Sequence, residues 1–493
     1  MTLWSCLLLS AFAAAPAPAA QAPATQPPLP VDVVREAEAQ LAAGNADRAI
    51  ALLERGARTD GKVALRLGKL RESRGELLPA EDAYKAAAEQ MSGAGKGEAL
   101  GRKAVVEDSR GSAAAAASAE AAIAADPEGL WPTIALSYLR AHEGKLDEAV
   151  ALAQKATAAG GGAAKAALGH ALQIKGDMAG AEAAYREAMA AEPTALAPMV
   201  GLATVLRKTD RAAEAEPLLK KAIDTSPGAA EAYKEMARVQ IALGRPQEAL
   251  TNANLAVAMA ENDPEAQAMV VDLKLARALQ EVGGQRNDLA VSELTRLRDQ
   301  YPDSAAIRVG LGRAQIARRD GDAAVAELQK AVELDPKNAE AQYQLGYALQ
   351  ALKRNPAAAV GPFEKAAAAE PGNATYLTAL GVALTGAQRY DRAIDVLIKV
   401  TALRGYRDAD GYVALGQAYV TVRQYQDAVP ALEKATSLAP QNSQAWAALG
   451  WAYFGLKDKV KFVEAAGKAR SLGYKEATLL SYLQRVEAGE AIK

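Results

Sequence analysis

Residues 409–440 read ADGYVALGQAYVTVRQYQDAVPALEKATSLAP, and residues 196–227 read LAPMVGLATVLRKTDRAAEAEPLLKKAIDTSP. Laid over one another, the two stretches carry the same residue types at the same offsets. Tyr412, Leu415, Gly416, Tyr419, Ala428, Leu432, Ala435 and Pro440 meet Met199, Leu202, Ala203, Leu206, Ala215, Leu219, Ala222 and Pro227. Leu415 and Tyr419 stand at i and i+4, on one face of a helix. Gly416 beside them lets a second helix approach closely. On that second helix, small Ala428 and Ala435 flank the larger Leu432. Pro440 cannot continue a helix interior and punctuates the unit. Such a helix pair has apolar surface it cannot bury alone, so copies must stack.

The pattern recurs along the chain. Leu-Gly pairs begin at Leu311, Leu345, Leu380, Leu415 and Leu449, which are 34, 35, 35 and 34 residues apart, with earlier ones at Leu67 and Leu168. The signature resembles that of the tetratricopeptide repeat (TPR) family, whose unit is roughly 34 residues long. The resemblance covers nearly all of the chain after residue 30. It implies an all-α fold, a right-handed solenoid of helix-turn-helix repeats. The expected layout is a tandem array of about thirteen repeats over residues 31–473 and a solvating C-terminal helix within 474–493. That last segment puts Leu479, Tyr482, Leu483 and Val486 on one face. The final repeat departs from the pattern, with Phe462 where a small Ala is expected. Two Gly-rich stretches, Met91–Gly97 and Gly160–Gly162, read as plain loops between helices.

Composition narrows the function. Of the 493 residues, 24 are aromatic, two are His and one is Cys, while half are hydrophobic, so much of the apolar share is Ala. That leaves little material for metal sites or thiol chemistry. A net charge of -2 gives no global basic field for nucleic acid or an anionic membrane surface. Ser92–Gly97 resembles a phosphate-binding loop, but Gln90 stands where its first Gly belongs and Gly97 where a Ser or Thr belongs. Asp408-Ala409-Asp410-Gly411 lacks the closing Glu of a calcium loop. His142, in an interhelix turn, and His170, on a first helix, have no further ligand at metal spacing. No catalytic constellation and no cofactor is expected.

The first 30 residues differ. Leu3–Ala15 is an uncharged apolar run, too short for a membrane span of roughly 20 residues. Small-residue triplets follow. Residues 1–20 read as a secretory signal peptide, though without a basic residue at its start. Apolar residues that follow Cys6, instead of preceding it, argue against a lipid anchor. Residues 21–30 form a Pro/Ala spacer. The expectation is an exported protein, periplasmic or outer-membrane-associated. A cytoplasmic adaptor or co-chaperone is the alternative, and a cell-wall enzyme is disfavoured.

The resemblance further implies that first helices line a concave groove which binds segments of other proteins. At groove positions this chain places Tyr343, Tyr347, Val382, Val413, Val420, Trp451 and Phe454 in the last units and Arg207, Lys234, Arg238 and Arg313 in the middle ones. Trp451 and Phe454 alternatively pack under the terminal helix, and the basic set alternatively pairs with nearby Glu. The Lys and Asn clamp for a C-terminal carboxylate found in some relatives is incomplete, because Arg238 stands where Asn is required. The expected role is a non-enzymatic scaffold whose partners are envelope-complex subunits of outer-membrane, secretion, pilus or gliding-motility machinery.

Overall fold

The computed structural model describes residues 32–492 apart from 261, 285 and 404. The export segment and the spacer expected at residues 1–30 lie outside them. The described residues form twenty-seven α-helices, α1 (Val33–Ala42) to α27 (Ala477–Glu487), with no strand among them. Consecutive helices pair as antiparallel hairpins from α1 with α2 (Ala46–Gly56) to α25 (Ser443–Gly455) with α26 (Lys459–Ser471), and α27 follows alone.

Six hairpins, those with Gly68, Gly169, Gly312, Gly346, Gly381 and Gly416, close on the contact anticipated from Gly416. A Cβ there would stand 2.3 Å from Leu432 Cγ, and one at Gly381 would stand 2.4 Å from Leu397 Cγ. Ala428, Leu432 and Ala435 are fully buried. The small residues therefore set the distance between paired helices, and the large one fills the gap they leave. In the last hairpin the sizes are exchanged. Phe462 takes the small residue's place and Ala466 the large one's, and a Cβ at Gly450 would meet Ala466 at a comfortable 3.4 Å. Asn338, Asn373 and Asn442 cap their helices by accepting backbone N–H bonds. Asp408 does the same for Asp410, so the supposed calcium loop is a helix cap.

The chain divides into two compact units, up to Gln267 and from Ala268. In the first, the first helices of successive repeats touch one another: α5 (Gly93–Ser109), α7 (Leu130–His142), α9 (Gly162–Lys175), α11 (Leu196–Lys208) and α13 (Ala230–Ala242). In the second, α17 (Ala305–Ala317) touches α19 (Ala339–Tyr347). There too α21 (Ala374–Gly386) touches α23 (Ala409–Thr421), and α23 touches α25. Second helices of neighbouring repeats make at most marginal contact. Within each unit the first helices thus form the inner, more crowded face.

The stretch Met91–Gly97 is not the expected loop. Helix α5 starts at Gly93, and its glycines serve close packing: a Cβ at Gly97 would meet Asp126 at 2.5 Å, and one at Gly101 the Trp131 backbone at 2.6 Å. Turn-forming residues in sequence were here small residues at a helix crossing. The first unit also contains a contact across 153 residues. Ser226 Oγ donates to the Ser73 carbonyl at 2.6 Å, and Gly75 (φ +76°) lies so close to Ala229 that a Cβ would meet its nitrogen at 2.6 Å.

Candidate functional site

The basic residues expected to line the groove in the first unit are already engaged. Lys234 is only 4% exposed, and its Nζ lies 2.5 Å from Glu231, 2.8 Å from Asp263 and 3.2 Å from Glu265. Burial opposes its charge, but the carboxylates of Glu231 and Asp263 push the ammonium up to about 12. Arg207 Nε donates to Glu235 at 2.6 Å, and Arg238 bonds both Glu235 and Glu265. Arg207, Lys234 and Arg238 therefore follow the alternative reading, pairing with nearby acids as an internally compensated ladder. Its acids come from the same helix, at i,i+3, or from the next repeat, at offsets of 27–31 residues that a linear reading does not bring together. Arg313 differs: it is exposed and has no ion pair among the described residues.

The same unit holds a cluster that spacing could not reveal. Tyr138 stacks on His170 with ring centroids 4.3 Å apart, and His142 lies 6.0 Å from His170. His142 Nδ1 is 2.9 Å from Asp108 Oδ1. The residues come from α5, α7 and α9, and only the stacking of successive repeats joins them. Burial, aided by His142, lowers His170 to about 4. Burial raises Asp108, opposed by His142. No set of three His, Cys, Asp or Glu side chains suited to a metal ion exists among the described residues.

The second unit places its candidate residues in three environments. Val413 is buried against Ala435 and Ala445, which corrects its assignment to an open groove; it fills the seam between two repeats. Tyr343 is half-buried between Phe363 and Tyr376, at 5.7 and 5.0 Å. Trp451, Phe454 and Val420 are half-buried against the C-terminal cluster. Phe454 lies 4.7 Å and Trp451 5.9 Å from Tyr482 of α27, and Trp451 Nε1 donates to Glu476. These two aromatics do pack under the terminal helix. Tyr347 and Val382 remain well exposed, at 43% and 39%.

Val382 borders a cleft of about 410 Å³ with Gln350, Arg354, Pro356, Thr385, Gly386, Ala414 and Gln417. Most of the lining comes from two successive first helices, α21 and α23, and the rest from the segment between α19 and the start of the helix at Pro356. Gln350 sits in a π-helical turn, Ala348–Leu352, that follows Tyr347 directly. This turn absorbs one extra residue: Gly346 and Arg354 are eight apart, whereas Gly381 and Gln388 are seven apart. The 35-residue step from Leu345 to Leu380 was the sequence trace of that insertion. Single π-turns often mark functional positions. The side chains of Gln350 and Gln417 make no hydrogen bond among the described residues, so both amides are free to meet a ligand.

Comparison with known proteins gives a consistent family. Profiles described as tetratricopeptide repeat match residues 163–194, 206–273, 271–304 and 413–471, and a TPR repeat profile matches 312–353. No curated protein matches the sequence. Among solved structures, MamA is 27% identical and covers 35% of this chain and 94% of its own, with a TM-score of 0.31. The Cut9–Hcn1 hetero-tetramer of the APC/C is 15% identical over 92% of this chain and 89% of its own, at 0.39. PilF of Pseudomonas aeruginosa is 20% identical over 37% and 87%, at 0.33. With its recurring Leu-Gly hairpins, the stacked helix pairs within each of its units and these profile matches, the chain belongs to the tetratricopeptide-repeat family.

Proposed function

We propose that the protein is a non-enzymatic scaffold that holds an extended, largely uncharged segment of a partner protein along the first helices of its second unit. The observation that carries this reading is the cleft beside Val382 and the exposed Tyr347 next to it. Apolar Val382 and Tyr347 supply desolvated contact area, and the unpaired amides of Gln350 and Gln417 offer donors and acceptors to a peptide backbone. In the first unit the inner cations Arg207, Lys234 and Arg238 are spent on neighbouring carboxylates. The apolar run at residues 3–15 supports export, and with it a role in an envelope assembly of the secretion, pilus, outer-membrane or motility kind.

A photo-crosslinking residue placed at Tyr347 in the native cell tests the reading. Discrete adducts are expected there, and Val382→Glu should abolish them while helical content stays unchanged. A crosslinker at Ile398, exposed on the second helix α22 (Tyr390–Thr401), is the control. The same adducts from both positions, or survival of the Tyr347 adducts in Val382→Glu, would sink the proposal.

A further inference from the structure

The turns that end the first helices differ between the two units in a way the fold does not require. Each turn has one residue in the left-handed region. In the first unit it is Gly at positions 44, 75, 111, 144, 176 and 244, with Asp210 the exception. In the second unit the turn after α15 (Pro264–Gln280) still uses Gly283, but from α17 onward no turn that ends a first helix uses Gly. The left-handed residues are Arg319 (φ 62°), Arg354 (φ 52°), Gln388 (φ 60°), Arg423 (φ 64°) and Lys457 (φ 62°). They recur 35, 34, 35 and 34 residues apart, so the same edge of five successive repeats presents them. At the one Gln turn, Arg389 is the next residue. A side chain with a Cβ is disfavoured in this conformation, and the first unit shows that Gly does the backbone's work. Five conformationally costly residues at equivalent places, four of them basic, need a reason outside the backbone.

Their surroundings supply one. Arg319, Arg354, Arg389, Arg423 and Lys457 are all exposed, and none has an ion pair among the described residues. Cations next to the row are engaged, as Arg318 is with Asp288 and Lys353 with Asp322. The aspartates nearest the row, Asp320 and Asp458, accept backbone N–H bonds at helix starts. The second unit as a whole has 29 Lys+Arg against 25 Asp+Glu, whereas the first has 28 against 34.

We propose that this row of basic turns is a docking edge for an acidic segment of a partner polypeptide. Four of the five cations are Arg, whose planar fork suits carboxylates individually. Packed helices lie roughly 8–10 Å apart, and an extended chain advances about 3.3 Å per residue. A carboxylate at every third residue therefore meets one turn after another. A flat anionic bilayer fits less well, because it would press on the interleaved aspartates, and apolar side chains stand beside the row only at its end, at Leu456 and Val460. The row is independent of the cleft reading; only Arg354 belongs to both.

The test uses the full-length protein with Arg319→Gly, Arg423→Gly and Lys457→Gly combined, leaving Arg354 in place. Gly is the residue the first unit already uses there, so the triple variant should keep or raise the melting temperature. The probe is a labelled (Glu-Ser-Gly)5 peptide, with (Gln-Ser-Gly)5, phosphatidylglycerol vesicles and single-stranded DNA beside it. The expected result is salt-sensitive binding of the Glu peptide alone, weakened at least tenfold in the triple variant, with adducts at Tyr347 unchanged. Absent binding, equal binding by the variant, a lowered melting temperature, or vesicles or DNA bound as well as the Glu peptide would each overturn the proposal.

Discussion

At the residue scale, His170 shows how stacking makes chemistry that no single repeat contains. An unperturbed His titrates near 6.5, and burial beside Tyr138 and His142 brings this one to about 4. Above about pH 6.5 the ring is neutral whether the chain is folded or unfolded, so it costs nothing. As pH falls toward 4 the unfolded chain takes up a proton that the folded one refuses, and stability drops. Between pH 7 and pH 5 the loss should be about 2 kcal/mol. Denaturant unfolding of wild type and His170→Gln at both pH values checks this; equal losses in the two proteins would refute it. The Leu-Gly hairpin contacts, by contrast, were readable from sequence, because Gly416 and Leu432 lie in one hairpin and their sizes announce the fit. Lys234 was not. Its partners Asp263 and Glu265 arrive from another repeat, and a list of groove positions says nothing about the acids that face them.

At the scale of elements, helix α27 carries the clearest consequence. Leu479 and Leu483 are fully buried and Val486 nearly so, all within the cluster that contains Phe462 and Leu449. Its apolar face was legible from spacing, and its role as a lid on the last repeat was what the family resemblance implied. What the sequence left open was the fate of Trp451 and Phe454, since an aromatic at a first-helix position reads the same whether a ligand or a terminal helix covers it. Tyr482 decides in favour of the helix. Replacing Leu483 with Ala should cost about 2–5 kcal/mol, the usual range for a buried Leu. Because repeats depend on their neighbours, the loss should be local. Hydrogen exchange should quicken across α25, α26 and α27 while α17 and α19 stay protected. Uniform acceleration throughout the second unit would contradict that nearest-neighbour picture. The π-helical turn after Tyr347 teaches the complementary lesson: a 35-residue step disclosed an insertion, but only the fold showed that the inserted turn delivers Gln350 to a cleft.

At the scale of the whole molecule, length measures the number of repeats, and a net charge of -2 is the sum of an acidic first unit and a basic second one. Neither quantity says where the protein works. That depends on residues 1–30, where an uncharged apolar run of signal-peptide length is followed by small residues and then by prolines that resist helix formation. A repeat array of this kind gains nothing from such a run, since a first repeat needs a polar outer face for solubility. The export reading therefore makes a definite demand. The protein should be recovered from the periplasmic or outer-membrane fraction, with a new N-terminus close to Gln21. Substituting Arg for Leu8 and Leu9 should leave the full-length chain in the cytoplasm, because a charged core blocks a secretory signal. The folded units should be unaffected in their thermal unfolding, because the altered residues precede the first helix at Val33. Cytoplasmic recovery of the unaltered protein with residues 1–20 still attached would discard the envelope role and leave the interaction surfaces of the second unit to be tested against cytoplasmic partners.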